Sequence, residues 1–203
     1  MNTLYDIKSI IHEQRKRERI PLGKGTKFLV VGEIASGKTR ISNEVARCMC
    51  LKTVCSYTTR EKRFNEFDGK EHYYVTDAEF DKILQEKDYV AYSEFAGSRY
   101  CTTLEELDNS DIYVITPDGV EELKRKYSDR YTFIVIYVHT PYIMRRLRAS
   151  TRSDFKDRFD KRVSAEINEF FDFTYHRKWD YLIDNSGDFA EALVSFMLLV
   201  SQE

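Results

Sequence analysis

Lys27-Phe28-Leu29-Val30-Val31-Gly32-Glu33-Ile34-Ala35-Ser36-Gly37-Lys38-Thr39 reads as a strand, a glycine-bounded loop and the start of a helix. An apolar, β-branched run ends at Gly32, and Gly37-Lys38-Thr39 follows after four residues. Ile41, Val45, Ala46 and Met49 then recur at helical spacing. This is the G-x-x-x-x-G-K-[ST] phosphate loop with a strand before it and a helix after it. Backbone N–H groups of such a loop point at phosphate oxygens, and the following helix adds its positive dipole end. The candidate phosphate-binding residues are Gly32, Glu33, Ile34, Ala35, Ser36, Gly37, Lys38, Thr39 and Arg40. Lys38 supplies a mobile cation for the outer phosphates, and the Thr39 hydroxyl is the candidate ligand for Mg²⁺. The reading implies a nucleoside triphosphate.

The chain has 203 residues, enough for one domain with a full core. Its net charge of −2, with 33% charged residues, does not mark a nucleic-acid or membrane surface. No apolar run approaches the roughly 20 residues that span a bilayer, and Met1 to Ile11 does not have the pattern of a signal peptide. Cys48, Cys50, Cys55 and Cys101 lack paired metal spacing, which points to free thiols in a reducing cytoplasm.

Residues 1–25 read as a helical extension. Leu4, Ile7, Ile10 and Ile11 share a face, and Arg15-Lys16-Arg17-Glu18-Arg19 leads into Pro21, Gly23 and Gly25. The basic run is either a solvated face or a contact for a partner or phosphate. From Lys27 onward, strands are expected at Lys27–Val31, Ile112–Ile115, Thr132–Val138 and Trp179–Ile183, alternating with helical patterns. Thr140-Pro141 predicts an N-cap followed by proline at the first helical position. Asp188–Val200 closes the chain as an amphipathic helix, and Arg145–Arg162 is helical and basic. This alternation predicts an α/β fold with a parallel sheet covered by helices on both faces.

Residues 54–102 break the rhythm. Short strand-like pieces (Tyr73–Val75, Tyr89–Glu94, Arg99–Cys101) surround a helix at Asp77–Glu86, opened by a Thr76/Glu79 capping box. A small mixed or antiparallel insertion is expected there.

A triphosphate site permits hydrolysis, switching or phosphoryl transfer, and cations help to choose among them. Charge in phosphoryl transfer spreads over phosphoryl oxygens, so catalysis is mostly positioning and cationic clamping. Arg60 and Arg63 are spaced to grip one phosphate. Arg146, Arg148, Arg152, Arg158 and Arg162 lie where a helical lid could bring them onto the donor.

Thr58-Thr59-Arg60, Arg63, Glu66, Asp68-Gly69-Lys70 and Tyr74-Val75 resemble the acceptor segment of guanylate kinases. The likeness continues through Glu79-Phe80, Gly97, Tyr100, Thr102, Arg146-Leu147, Arg162, and Asp180-Tyr181-Leu182-Ile183 with Asn185, covering about residues 27–200. It implies a P-loop kinase fold with a parallel central sheet flanked by helices, an inserted acceptor subdomain at about 55–105 and a helical lid at about 148–160, within a domain over 26–203. It implies Mg²⁺-dependent transfer of the γ-phosphoryl of ATP to GMP or dGMP. Arg60, Arg63 and Tyr100 match residues on the acceptor phosphate, and Ser56 and Thr102 match residues that reach the base. Lys38, Arg146, Arg152 and Arg162 match groups on the transferring phosphoryl, and Asn185 matches a position beside the donor adenine.

Departures fall on the acceptor and strand-end side. His72 replaces a family tyrosine on the acceptor phosphate, either as an imidazolium phosphate ligand or as a histidine packed beside Tyr73 and Tyr74. Ala91 replaces the glutamate that reads guanine, with Glu94 and Tyr92 near in sequence as substitutes. Val114 and Thr116 replace two carboxylates, Thr116 also reading as a helix N-cap before Pro117. Losing a group built to hydrogen-bond a substrate costs roughly 10⁴ in discrimination. Two further readings therefore stand beside the first: the same chemistry on another or modified acceptor, and a guanylate-kinase-like binding module without catalysis.

Overall fold

The strand Thr26–Val31 is apolar on both faces, so the sheet that it seeds needs cover on both sides. The computed structural model describes residues 25–63, 66–95, 97–151 and 155–203. The expected extension over residues 1–25, apart from Gly25, and Arg152 lie outside the described residues. The elements are β1 (Thr26–Val31), α1 (Lys38–Met49), β2 (Ser56–Thr58), β3 (His72–Tyr74), α2 (Asp77–Glu86), β4 (Tyr89–Phe95), β5 (Ser98–Thr103), α3 (Leu104–Asp108), β6 (Ile112–Val114), α4 (Pro117–Tyr127), β7 (Thr132–His139), α5 (Tyr142–Ser150), α6 (Phe155–Tyr175), β8 (Tyr181–Asp184) and α7 (Phe189–Gln202).

The main sheet is parallel throughout, in the order β6-β1-β7-β8. Alternate residues of its strands feed two cores. Phe28, Val30, Ile136 and Val138 pack with Ile41, Val45 and Met49 of α1 and Leu193, Phe196 and Met197 of α7. Leu29, Val31, Val135 and Tyr137 pack with Val120 and Leu123 of α4 and Phe170 and Phe173 of α6. The expected α/β architecture, a parallel sheet with helices on both faces, is what forms. Among the described residues no helix is long and apolar enough to cross a membrane.

The second sheet runs β3-β2-β5-β4 and is mixed: β2 pairs parallel with β3 and antiparallel with β5, which pairs antiparallel with β4. The α2 helix has the expected bounds, and both halves of its Thr76/Glu79 capping box form. The strand β2 carries no apolar periodicity, and α3 holds only Leu104 and Leu107 at i,i+3 spacing, too short a pattern for the sequence to reveal.

Several local expectations need correction. Trp179 stands outside β8 because its ring is taken up by Tyr137 (centroids 4.9 Å) and Phe173 (5.5 Å). Thr140 does not cap a helix: α5 begins at Tyr142 with Pro141 as its N-cap and no side-chain cap bond. The Thr140 hydroxyl donates instead to the carbonyls of Ser36 (3.0 Å) and Asn185 (3.2 Å). The basic stretch from Arg145 to Arg162 is helical as expected, divided between α5 and α6.

Phe196 is fully buried between the sheet and α1. Phe196→Ala should cost about 3–5 kcal/mol, read as a lower urea midpoint. Leu198→Ala on the same helix, at a side chain 51% exposed, should stay within about 0.5 kcal/mol.

Candidate active site

Between β1 and α1 the chain turns tightly enough to leave no room for side chains at two glycines. A Cβ at Gly32 would lie 2.6 Å from Ser36 Oγ and 2.7 Å from the Val138 carbonyl oxygen. One at Gly37 would lie 2.5 Å from Asn185 Nδ2, and Gly37 has φ +90°. Ala35 is also left-handed, with φ 61°. Such alternation turns successive N–H groups toward a common concavity.

The carbonyl side of the loop is secured from behind. Ser36 O accepts from Asn185 Nδ2 (2.7 Å), Thr140 Oγ1 (3.0 Å) and Arg148 Nη1 (3.3 Å). Arg148 Nη2 also donates to Asn185 O at 2.7 Å. Arg145, 7% exposed, donates from Nε to Thr140 O (3.1 Å) and from Nη1 to Ile34 O (3.3 Å), and its Nη2 lies 3.5 Å from Glu33 Oε1. The Tyr137 hydroxyl donates to Glu33 Oε2 at 3.0 Å. Burial, with the Glu33 carboxylate next in weight, raises the Tyr137 phenol pKa and keeps it a donor.

Thus α5 presents Arg145 and Arg148 to the loop, one turn apart. Arg146 is exposed and does not line the cavity. Helix phase decides this: Arg145 and Ala149 are the buried positions of α5, and Arg146 points about 100° away from Arg145. Asn185, expected beside the donor base, is 2% exposed and sits behind the loop as one of its anchors. Glu33 and Ser36 likewise turn into the protein. Gly32, Ile34, Ala35, Gly37, Lys38, Thr39 and Arg40 line a cavity of about 770 Å³. Lys38 Nζ lies 3.4 Å from the Glu33 carbonyl, and the Arg40 guanidinium lies over the Phe189 ring at 4.0 Å.

The same cavity is lined by Ser56, Arg60, Arg63, His72 and Tyr100 of the second sheet and its loop. Register explains why these residues meet. Ser56 pairs with His72, Thr58 with Tyr74 and with Tyr100, and Ser93 with Tyr100, so these side chains share one face. Thr102 falls on that face too, but it is fully buried, and its hydroxyl has no hydrogen-bond partner among the described residues. Ser56 Oγ and His72 Nδ1 are 2.8 Å apart, and the imidazole meets the Tyr100 ring edge-on at 5.9 Å. Burial and then the Arg60 guanidinium push the His72 imidazole down to about 4. At neutral pH His72 is therefore an uncharged packed residue in this state, not an imidazolium.

Glu66 organises the two arginines. Arg60 Nη2 donates to Oε1 at 2.9 Å and Arg63 Nη1 reaches the same oxygen at 3.4 Å. The Arg63 backbone N–H (2.9 Å) and the Tyr74 hydroxyl (2.8 Å) donate to Oε2. Burial opposes the charge of Glu66, but the bonds from Arg60, Arg63 and Tyr74 outweigh it and hold the carboxyl at about 2.

The departures also have a structural setting. Ala91 sits in a bulge between Val90 and Ser93 with φ 53°, packed in the core that contains Tyr113, Ile115 and Phe170. The bulge sends Ala91 and Ser93 to the cavity and leaves Tyr92 and Glu94 outside its lining, their side chains bonded to each other. Thr116 is the N-cap of α4, accepting from the Gly119 N–H at 3.2 Å. Two carboxylates that sequence reasoning missed, Glu166 and Glu169, enter the cavity lining from α6 together with Arg162. Burial raises the Glu169 pKa, and its Oε1 accepts from the Asp118 N–H at 3.0 Å. Their only signal in the sequence is i,i+3 spacing on a helix. The exposed Thr39 hydroxyl beside Lys38 suits a Mg²⁺ that keeps several waters and shares donor phosphates; the last residue of β6 and the N-cap of α4 offer Val114 and Thr116 where a carboxylate would assist.

Comparison with known proteins follows the same lines. The guanylate kinase family model matches residues 24–202. The chain is 27% identical over 187 residues to the guanylate kinase of Geobacter metallireducens, covering 89% of this chain and 90% of that protein. It is 29% identical over 184 residues to that of Thermotoga maritima, covering 86% of each. The crystal structure of guanylate kinase from Anaplasma phagocytophilum superposes with a TM-score of 0.66 at 20% identity, over 88% of this chain and 85% of that one.

The Glu66 pKa sets a pH signature. Its folded value of about 2 against an ordinary 4.5 contributes stability that is complete above about pH 4.5 and lost as pH falls toward 2. The stability gap between wild type and Glu66→Gln in urea titrations should therefore be constant at neutral pH and narrow on acidification below about 4.5. Parallel pH profiles would contradict the assignment.

Proposed function

The chain belongs to the guanylate kinase family and is a nucleotide phosphotransferase, and from that premise we propose that it transfers the γ-phosphoryl of ATP to GMP or dGMP, in the cytoplasm. The observation that carries this reading is a single cavity lined both by the phosphate loop and by Arg60 and Arg63. A donor and an anionic acceptor gripped by those groups face each other across one shared space.

The donor phosphates lie on the forward N–H groups of the loop, with Lys38 on the outer ones. Arg60 and Arg63, pre-oriented by Glu66, hold the acceptor phosphate so that one of its oxygens points at the γ-phosphorus. Tyr100 completes that grip, while Ser56 faces the acceptor base; Thr102, buried on the same sheet face, lies outside the cavity lining. Arg162 is the lid-side cation that meets the charge developing on the transferred group; Arg152 is proposed for the same task. No general base is needed, because the attacking oxygen already belongs to an anionic phosphate. Thr39 would hold Mg²⁺ with the donor phosphates, and the ion supplies neutralisation of β- and γ-oxygen charge. Closing the cavity around both substrates excludes water and suppresses hydrolysis.

A second reading rests on Ala91. The acceptor wall offers no carboxylate from β4, so the enzyme could prefer a base without the guanine N1–H and amino pair, or a modified one. A panel of ribo- and deoxynucleoside monophosphates with Mg·ATP tests both. GMP or dGMP turning over fastest supports the first reading; both being poor while another acceptor is fast supports the second. In either case Lys38→Ala should lower kcat by at least 10³-fold or so, within the span of cationic phosphoryl-transfer groups. Full activity in that variant would remove the mechanism.

A further inference from the structure

Helix α6 reaches the phosphate loop through Glu166, which lies one turn after Arg162, a residue of the cavity wall. Glu166 is 6% exposed, yet both of its carboxylate oxygens are engaged. Oε1 accepts from Arg162 Nε at 2.5 Å, and Oε2 accepts from the Ile34 backbone N–H at 3.0 Å. One carboxylate thus joins a cation of the cavity wall to the backbone of the loop that cradles the donor. Ile34 is held from its other side as well, since its carbonyl accepts from Arg145 Nη1 at 3.3 Å.

Helix stability alone does not account for this pair. An exposed i,i+4 ion pair adds little, and the order with the cation on the N-terminal side is the weaker one. A carboxylate this deeply buried is costly unless every lone pair has a use, and here the uses are the loop N–H and the lid-side arginine. A long arginine side chain also surrenders considerable rotamer freedom when fixed. Glu166 fixes it before substrate arrives, which is where preorganised electrostatics gain their effect.

We propose that Glu166 is a positioning residue for phosphoryl transfer: it sets the Arg162 guanidinium against the Ile34 segment of the phosphate loop and ties α6 to that segment. The proposal rests on the reading of Arg162 as a cation for the transferred group and goes further by naming what places it there.

A double-mutant cycle on the full chain tests this, using Glu166→Ala, Glu166→Gln, Arg162→Ala and the two pairs with Arg162→Ala. Glutamine keeps the volume and an oxygen for the Ile34 N–H but cannot also accept from Arg162 Nε, so it remains informative if the alanine variant folds poorly. With Mg·ATP and the best acceptor, Glu166→Gln should lower kcat by about 10- to 100-fold, the scale of a misplacement near 1 Å, with the acceptor KM within about twofold. On the Arg162→Ala background the same substitution should change kcat by less than about twofold, because the two residues act as one unit. Multiplicative losses, or a loss confined to KM, would overturn the proposal. Unchanged kcat in Arg162→Ala itself would instead remove the underlying reading of that arginine, and the proposal with it.

Discussion

The site depends on how the carbonyl of Ser36 is held. A loop that turns its N–H groups toward an anion must turn carbonyls the other way, and a buried carbonyl without partners is costly. Here three donors from three separate places in the chain converge on Ser36 O: Thr140 after β7, Arg148 of α5 and Asn185 after β8. The parallel order β6-β1-β7-β8 is what makes this possible, because it brings the ends of β7 and β8 to the same side as the end of β1. The cradle is therefore a tertiary object, although its sequence motif is local. Arg145 and Glu166 add a second grip on its first half, at the Ile34 carbonyl and N–H, so loop, α5, α6 and sheet end form one hydrogen-bonded assembly.

The second sheet's side of the cavity is built on another charge, a partly buried carboxylate. Glu66 gathers Arg60, the Arg63 backbone and side chain, and the Tyr74 hydroxyl, which leaves two guanidinium groups aligned on the cavity with no substrate present. Against this strongly cationic wall, His72 stays neutral and contributes packing and one hydrogen bond to Ser56. Elsewhere the second sheet lends the cavity Ala91 in its bulge and Ser93, while Thr102 stays buried with a hydroxyl that has no hydrogen-bond partner among the described residues.

What was legible in the sequence was what local spacing encodes. Gly32 and Gly37 are demanded by contacts under 3 Å and a left-handed backbone, so the loop announces itself. The strands β1 and β7 are apolar on both faces, and α2 carries its own capping box. What was not legible depends on partners distant in the chain. β2 is Ser-Tyr-Thr, and only pairing with β3 and β5 makes it a strand. Thr140 has the look of a helix cap, but a carbonyl 104 positions away claims its hydroxyl. Arg146 and its neighbours Arg145 and Arg148 are indistinguishable by composition; the burial of Ala149 sets the phase that turns 145 and 148 inward. Asn185 matched a donor-side position, and nothing in its local sequence announces that its Nδ2 donates to the Ser36 carbonyl.

A crystal structure with a two-substrate analogue, adenosine and guanosine joined through an oligophosphate, tests the central claim most directly. The account predicts phosphates on the Gly32–Thr39 loop with the Ser36 carbonyl still bound by Thr140, Arg148 and Asn185, and the far phosphate between Arg60 and Arg63. An oligophosphate lodged elsewhere, or a loop that has released those three donors to receive it, would contradict a cradle formed in advance.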